Sequence, residues 1–150
     1  MSWKLKAFHE LTATELYRIM KARIDVFVVE QECPYHDADN RDFESYHLFL
    51  EEENEIAAYC RLIPNGVVYD EATIGRVLVK KDKRGKGYAS RLFAKAVQVL
   101  EEEWKEPAIK IQAQAYLREF YGSFGFEEVT EVYLEDNIPH IDMIRTTTSL

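Results

Sequence analysis

Residues 74–104 constrain this chain more than any other stretch. An apolar run, Ile74-Gly-Arg-Val-Leu-Val79, leads into Lys80-Lys-Asp-Lys-Arg-Gly-Lys-Gly87, and an amphipathic segment follows at once. There Ala89, Leu92, Phe93, Ala96, Val97, Leu100 and Trp104 recur at helical spacing. The pattern predicts a strand, a basic glycine-containing loop and a helix over about 87–104. A helix N-terminus carries N–H groups with no partner in its own ladder and the positive end of the dipole, so this corner suits phosphate oxygens. Gly85 and Gly87 let the backbone approach closely, while Arg84 and Lys86 add charge. Rival phosphate motifs fit poorly. A dinucleotide fingerprint would need glycine where Ser90 stands, and no G-x-x-x-x-G-K-[ST] string occurs. A glycine-rich corner with no ligand is the plain structural alternative.

The flanking sequence supplies a sheet for that unit. Trp3 to Phe8 alternates as a first strand, and Thr12-Ala-Thr-Glu15 is a capping box ahead of a helix carrying Leu16, Ile19, Met20, Ile24 and Phe27. Glu30 to Glu44 reads as a loop. Tyr46 to Leu50 and Glu55 to Ile63 read as a hairpin, and Gly75 marks a bulge or a close backbone approach in the 72–79 strand. After Pro107, Ile109, Ile111, Ala113 and Ala115 alternate. A short helix then ends at Gly125, and strands follow over about Phe126–Leu134 and His140–Thr146. The expected class is α/β (α+β), one domain over 1–150, with helices on the faces of a mixed sheet.

Composition excludes several classes. With 47% apolar residues and aromatics spread along the chain, disorder is not expected, and no apolar run reaches the ~18–20 residues of a membrane span. The first residues carry no secretory pattern, and Cys33 and Cys60 lack any metal or disulfide spacing, which points to a cytoplasmic protein without a metal. The net charge of −8 argues against nucleic acid and anionic membranes as partners. Charge is uneven: Lys80 to Lys86 holds five bases and one acid, whereas Glu30 to Glu55 holds ten acids and one Arg. Either run taken alone reads first as solvated surface. Together they suit a small polyanion at the loop and a cation elsewhere.

Two motifs carry a resemblance. Arg84-x-x-Gly87-x-Ala89 after an apolar strand resembles the acetyl-CoA pyrophosphate loop of the GNAT N-acetyltransferases. Phe120-Tyr121-Gly-Ser-Phe-Gly125-Phe126 resembles the Phe-Tyr-x-x-x-Gly-Phe signature that the family carries about 35 residues later. The element order matches along the whole chain. Val28 to Tyr35, Gln112-Ala-Gln114 and Val132 to Ile141 resemble the small ElaA-type branch.

The resemblance implies a central, mostly antiparallel sheet with one splayed parallel strand pair, flanked by helices. It implies acetyl-CoA as co-substrate and an amine acceptor. Pantetheine contacts fall on the backbone of Leu78 and Val79. Pyrophosphate contacts fall on the N–H groups of Arg84, Gly85, Lys86, Gly87, Tyr88 and Ala89. Gln114 stands where many relatives carry an Asn that touches the cofactor, and Tyr121 stands near the CoA sulfur as a candidate catalytic phenol. A homodimer stays open, as does a non-catalytic acyl-CoA-binding module.

The general base is less defined. Glu71, Glu30, His47, Glu135 and His140 are the candidates, with His140 and Glu30 carried forward as catalytic. His140 follows Pro139 at the start of the last strand, and histidine titrates near neutrality. His47 reads equally as a core histidine. Arg76 is expected to pair with an acid near the cleft or to face solvent. Acidic walls over 30–55 would favour a cationic acceptor.

Overall fold

The computed structural model describes residues 2–147. Eleven elements matter for the site. They are β1 (Ser2–Ala7), α1 (Ala13–Arg23), β2 (Tyr46–Glu52), β3 (Glu55–Ile63), β4 (Thr73–Val79), α2 (Tyr88–Gln98), β5 (Ala108–Gln114), α3 (Arg118–Gly122), β6 (Glu127–Glu128), β7 (Tyr133–Glu135) and β8 (Ile138–Thr146). α1 runs on as a π-helical stretch over Ile24–Glu30, and α2 as another over Val99–Glu103. The capping box forms as the sequence predicts. Glu15 N–H donates to Thr12 Oγ1 at 3.0 Å, and Thr12 N–H donates to Glu15 Oε1 at 2.9 Å.

β1 to β4 form one antiparallel sheet in sequence order, and β5, β8 and β6 form a second, with β7 also on β8. Covered on both faces, β2 and β3 divide their residues by period-two alternation. Leu48, Leu50, Cys60 and Leu62 face α2, packing with Leu92, Phe93 and Ala96. Phe49 and Tyr59 face α1, packing with Ile19, Ala22 and Val26. This explains the nearly unbroken apolar run from Ile56 to Ile63.

One predicted strand divides. Over 126–134 the structure has the separate pairings Glu127–Ile144 and Tyr133–His140, both on β8. Between them Thr130 Oγ1 accepts from Asp142 N–H at 3.0 Å, so a side chain replaces a ladder bond and the backbone arches away. The Gly125 stop holds: its φ is +84°.

The two sheets meet at one parallel bridge, Ala72 with Ile109, where Lys110 N–H donates to Ala72 O at 2.9 Å. No further pairing joins β4 to β5 among the described residues, so the two strands diverge from that point. The splayed parallel pair expected from the sequence is this wedge.

Candidate functional site

The wedge opens into a cleft of about 1430 Å³, lined by β4, the loop after it, β5, α3 and the β7–β8 hairpin. On β4, Lys80 N–H donates to Ala57 O at 2.9 Å, so it turns toward β3. Alternation then turns Leu78 the same way and leaves the N–H and C=O of Val79 facing the cleft. Of the two expected backbone contacts, Val79 is presented. Leu78 instead pairs with Tyr59 and buries its side chain beneath α1.

The loop makes a cradle. Gly85 and Gly87 have φ of +81° and +78°, a region that disfavours side chains, and a Cβ at either would meet nothing within 4 Å. Gly87 is the N-cap of α2, so the first-turn N–H groups of that helix, from Tyr88 and Ala89 onward, open toward the cleft. An anion of phosphate type fits this geometry without displacing any side chain packed on the glycines.

The basic run is largely neutralised. Lys80 pairs with Asp25 at 3.0 Å, Lys83 with Glu52 at 3.2 Å, Arg84 with Glu30 at 2.6 Å, and Lys86 lies 3.9 Å from Glu52. The acidic run is engaged likewise. Glu30, Asp37, Asp39, Asp42, Glu51, Glu52 and Glu53 all stand in ion pairs. This corrects the expectation of acidic walls, because most of those carboxylates already have internal cations.

Three aspartates of the acidic run and three arginines from outside both runs form one closed ring of ion pairs, whose Asp39, Arg61 and Arg76 line the cleft. Arg23, fully buried, donates from Nε to Asp37 at 2.8 Å and from Nη1 to Asp42 at 2.7 Å. Arg61 joins Asp42 at 3.1 Å to Asp39 at 2.8 Å, and Arg76 joins Asp39 at 3.2 Å to Asp37 at 3.0 Å. Burial raises the Asp39 carboxyl, but Arg61 and the Arg41 N–H outweigh it and hold its pKa at about 2. The predicted pairing of Arg76 is therefore found. Its φ is +52°, and the register shifts between Tyr59 and Arg61 opposite it. The bulge expected at Gly75 thus falls one residue later, on a side chain held by its two aspartates.

Tyr121 lines the cleft and is 6% exposed, its ring 5.0 Å from Phe93 and 5.2 Å from Phe120. Burial pushes its phenol pKa well above the ordinary value. His140 also lines the cleft and is the cross-strand partner of Gln114. Its Nδ1 lies 2.7 Å from Ile138 O, and since a carbonyl only accepts, that nitrogen carries a proton, so the neutral ring has its lone pair on Nε2. The Tyr133 ring stacks on it at 6.4 Å.

The remaining candidates separate. Glu30 lies in the cleft lining, but Arg84 binds it through both oxygens and lowers its pKa, which makes it a weak base. His47 is a core residue, 1% exposed, bonded to Tyr59 Oη at 2.7 Å and Asp42 O at 3.1 Å, and burial pushes its pKa down. Glu71 precedes β4 and lies outside the cleft, whereas Glu135 lies inside it. Two cleft residues escaped the sequence reading as individuals. Gln31 exchanges amide bonds with Gln114 at 3.3 and 3.5 Å, and Tyr35 lies under the Arg76 guanidinium at 5.4 Å. Neither pairing carries a local signal, since Gln114 and Arg76 lie far along the chain from Gln31 and Tyr35. No helix among the described residues is long and apolar enough to cross a membrane.

Comparison with known proteins agrees with this geometry. Residues 14–147 match the family model for the acetyltransferase (GNAT) domain. Protein ElaA of Escherichia coli is 38% identical over 97% of this chain and 96% of its own, and its crystal structure superposes with a TM-score of 0.89. An acyl-CoA N-acyltransferase from Pseudomonas aeruginosa, also 38% identical, gives a TM-score of 0.91 over 97% of this chain and all of that one. An aminoglycoside 6'-N-acetyltransferase complexed with coenzyme A shares the fold, with a TM-score of 0.70 over 95% of this chain and 96% of that one at 13% identity. With the wedge, the glycine cradle and these relatives in agreement, the chain belongs to the GNAT acetyltransferase family.

Proposed function

We propose that this protein transfers the acetyl group of acetyl-CoA to an amine by direct attack on the thioester. The observation that carries this reading is the wedge between β4 and β5, which runs from the Ala72–Ile109 bridge to the Gly85–Gly87 cradle. Pantetheine would bond to the free edge of β4 at Val79, with its diphosphate on the loop. A protein of the same fold, the aminoglycoside 6'-N-acetyltransferase, is complexed with coenzyme A, which supports coenzyme A as the ligand class.

The chemistry asks for a neutral amine. At pH 7 an amine of pKa ~10.4 is neutral about once in a few thousand molecules, a cost of about 4–5 kcal/mol. His140 Nε2 is the group suited to take that proton, directly or through one water, because Ile138 fixes the opposite tautomer. The amine nitrogen then bonds to the carbonyl carbon, the C–S bond breaks, and the thiolate leaves. Tyr121 serves as a hydrogen-bond donor to it. Full proton transfer from a phenol of pKa ~10 to a thiolate of pKa ~8.5 is already uphill by about 2 kcal/mol, and burial of Tyr121 raises that further.

The lining of the proposed acceptor end includes Glu135, Asp136 and Arg41, all exposed and with no ion pair among the described residues. A cationic amine is favoured there by one net charge, so attraction between enzyme and acceptor should weaken only modestly with salt. Release of CoA thiol with a panel of amines, set against an amine-free control, tests the reading. Amine-dependent release supports it, while CoA binding without turnover on any amine would instead make the protein an acyl-CoA-binding module. Replacing Tyr121 by Phe should lower kcat by roughly 10²–10⁴ with little change in KM for acetyl-CoA. Unchanged turnover would return Tyr121 to a packing role.

A further inference from the structure

The turn at residues 30–33 reaches three separate walls of the cleft. Glu30 reaches Arg84 on the loop, Gln31 reaches Gln114 at the end of β5, and Cys33 Sγ lies 3.5 Å from Asp136 O on the hairpin. Between them, Glu32 takes a left-handed φ of +50°. The first of these contacts is the most consequential. Arg84 Nη1 donates to Glu30 Oε2 at 2.6 Å and Nη2 to Oε1 at 2.9 Å, while Nε donates to Val79 O at 3.0 Å. The fork is therefore filled by a carboxylate in the planar, two-pronged geometry that phosphate oxygens also use. The same guanidinium caps the Val79 carbonyl, which β4 turns to the cleft.

One fork cannot hold both anions. We propose that Glu30 is an internal competitor for acyl-CoA: its carboxylate occupies Arg84, the diphosphate must displace it, and Glu30 thereby holds cofactor affinity below what the loop alone would give. This rests on the reading above that the loop takes the diphosphate. Arg84 is 43% exposed and Glu30 31%, and a pair this open shifts an equilibrium constant only a few-fold. Removing a negative charge beside a diphosphate adds a further, salt-screened gain. The opposite role, in which Glu30 orients Arg84 toward the diphosphate, predicts weaker binding when the carboxylate is lost.

The test is calorimetric titration of CoA into the full chain as wild type, Glu30→Gln, Arg84→Gln and the double variant, each at low and high salt. Glu30→Gln should bind CoA about three- to tenfold more tightly at low salt, with a smaller gain at high salt. The gain should shrink to its screened-charge part when Arg84 is already Gln, because the competition acts through that side chain. Equal or weaker binding by Glu30→Gln overturns the competitor, as does an equal gain in both backgrounds. If the wild type binds CoA in neither salt, the reading of the loop fails instead.

Discussion

The two ends of the cleft are built from different materials. At the loop, binding capacity comes from the main chain: two glycines at positive φ, the opening turn of α2 and the free edge of β4. At the other end, the wall is made by Arg61, Asp39 and Arg76, which close a ring of alternating charge with the buried Arg23, Asp37 and Asp42 behind them. A main-chain site depends on backbone conformation, and few substitutions reach it. A side-chain wall depends on every member, because removing one charge strands its partners in a poorly solvated interior.

The sharpest way to break this contrast is Arg23→Ala. It takes from Asp37 and Asp42 the one cation they share, leaving Arg76 alone on the first and Arg61 alone on the second, and should cost about 3–5 kcal/mol. For a chain of this size that lowers Tm by roughly 6–20 °C, readable by thermal or urea unfolding. A loss under about 1 kcal/mol would mean that the aspartates reach water or protonate without penalty. Gly87→Glu probes the other end. Space for a Cβ is open there, so the stability cost is confined to the left-handed backbone, about 1–2 kcal/mol. CoA binding should fall by more than about tenfold, or about 1.4 kcal/mol. Undiminished affinity would remove the loop from the site.

The smallest effect is a pH dependence. Asp39 has a folded pKa of about 2, below the ordinary 3.8. Its contribution is therefore fully present above about pH 4 and is lost as pH falls toward 2, by roughly 1 kcal/mol after screening. Asp39→Asn should flatten that part of the stability profile. Amide groups at the loop do not titrate, so no matching slope belongs to that end.

Legibility in the sequence divided along the same line. Gly85 and Gly87 announce a main-chain site because a positive φ leaves its mark in one residue type. Thr12 and Glu15 announce a helix start because both bonds close within three residues. Arg23 gives no such signal. It interrupts a helical stripe read for its apolar members, and its partners lie 14 and 19 residues away in a stretch that looks like solvated surface. The opposite charge runs at 30–55 and 80–86 suggested two ligands. In part they are each other's counterions, a pairing set by tertiary contact and invisible to local patterning. Arg76 shows the same limit at one residue. The neighbouring glycine marks the bulge, but the strained φ falls on the arginine, where bonds to Asp37 and Asp39 offset a cost of about 1–2 kcal/mol.

The single bridge between Ala72 and Ile109 also has a mechanical meaning. Two plates joined at an apex can widen only by pivoting there, so displacement grows with distance from the hinge. Along β4, amide hydrogens on the edge facing β5 should exchange with solvent faster toward Val79, while those facing β3 stay protected by their ladder. Such a sheet keeps a strand's worth of bonding vacant in its interior, sheltered from the edge-to-edge association that an outer strand would invite. An extended ligand entering the gap would act as the missing strand, and its signature would be slowed exchange along that one edge.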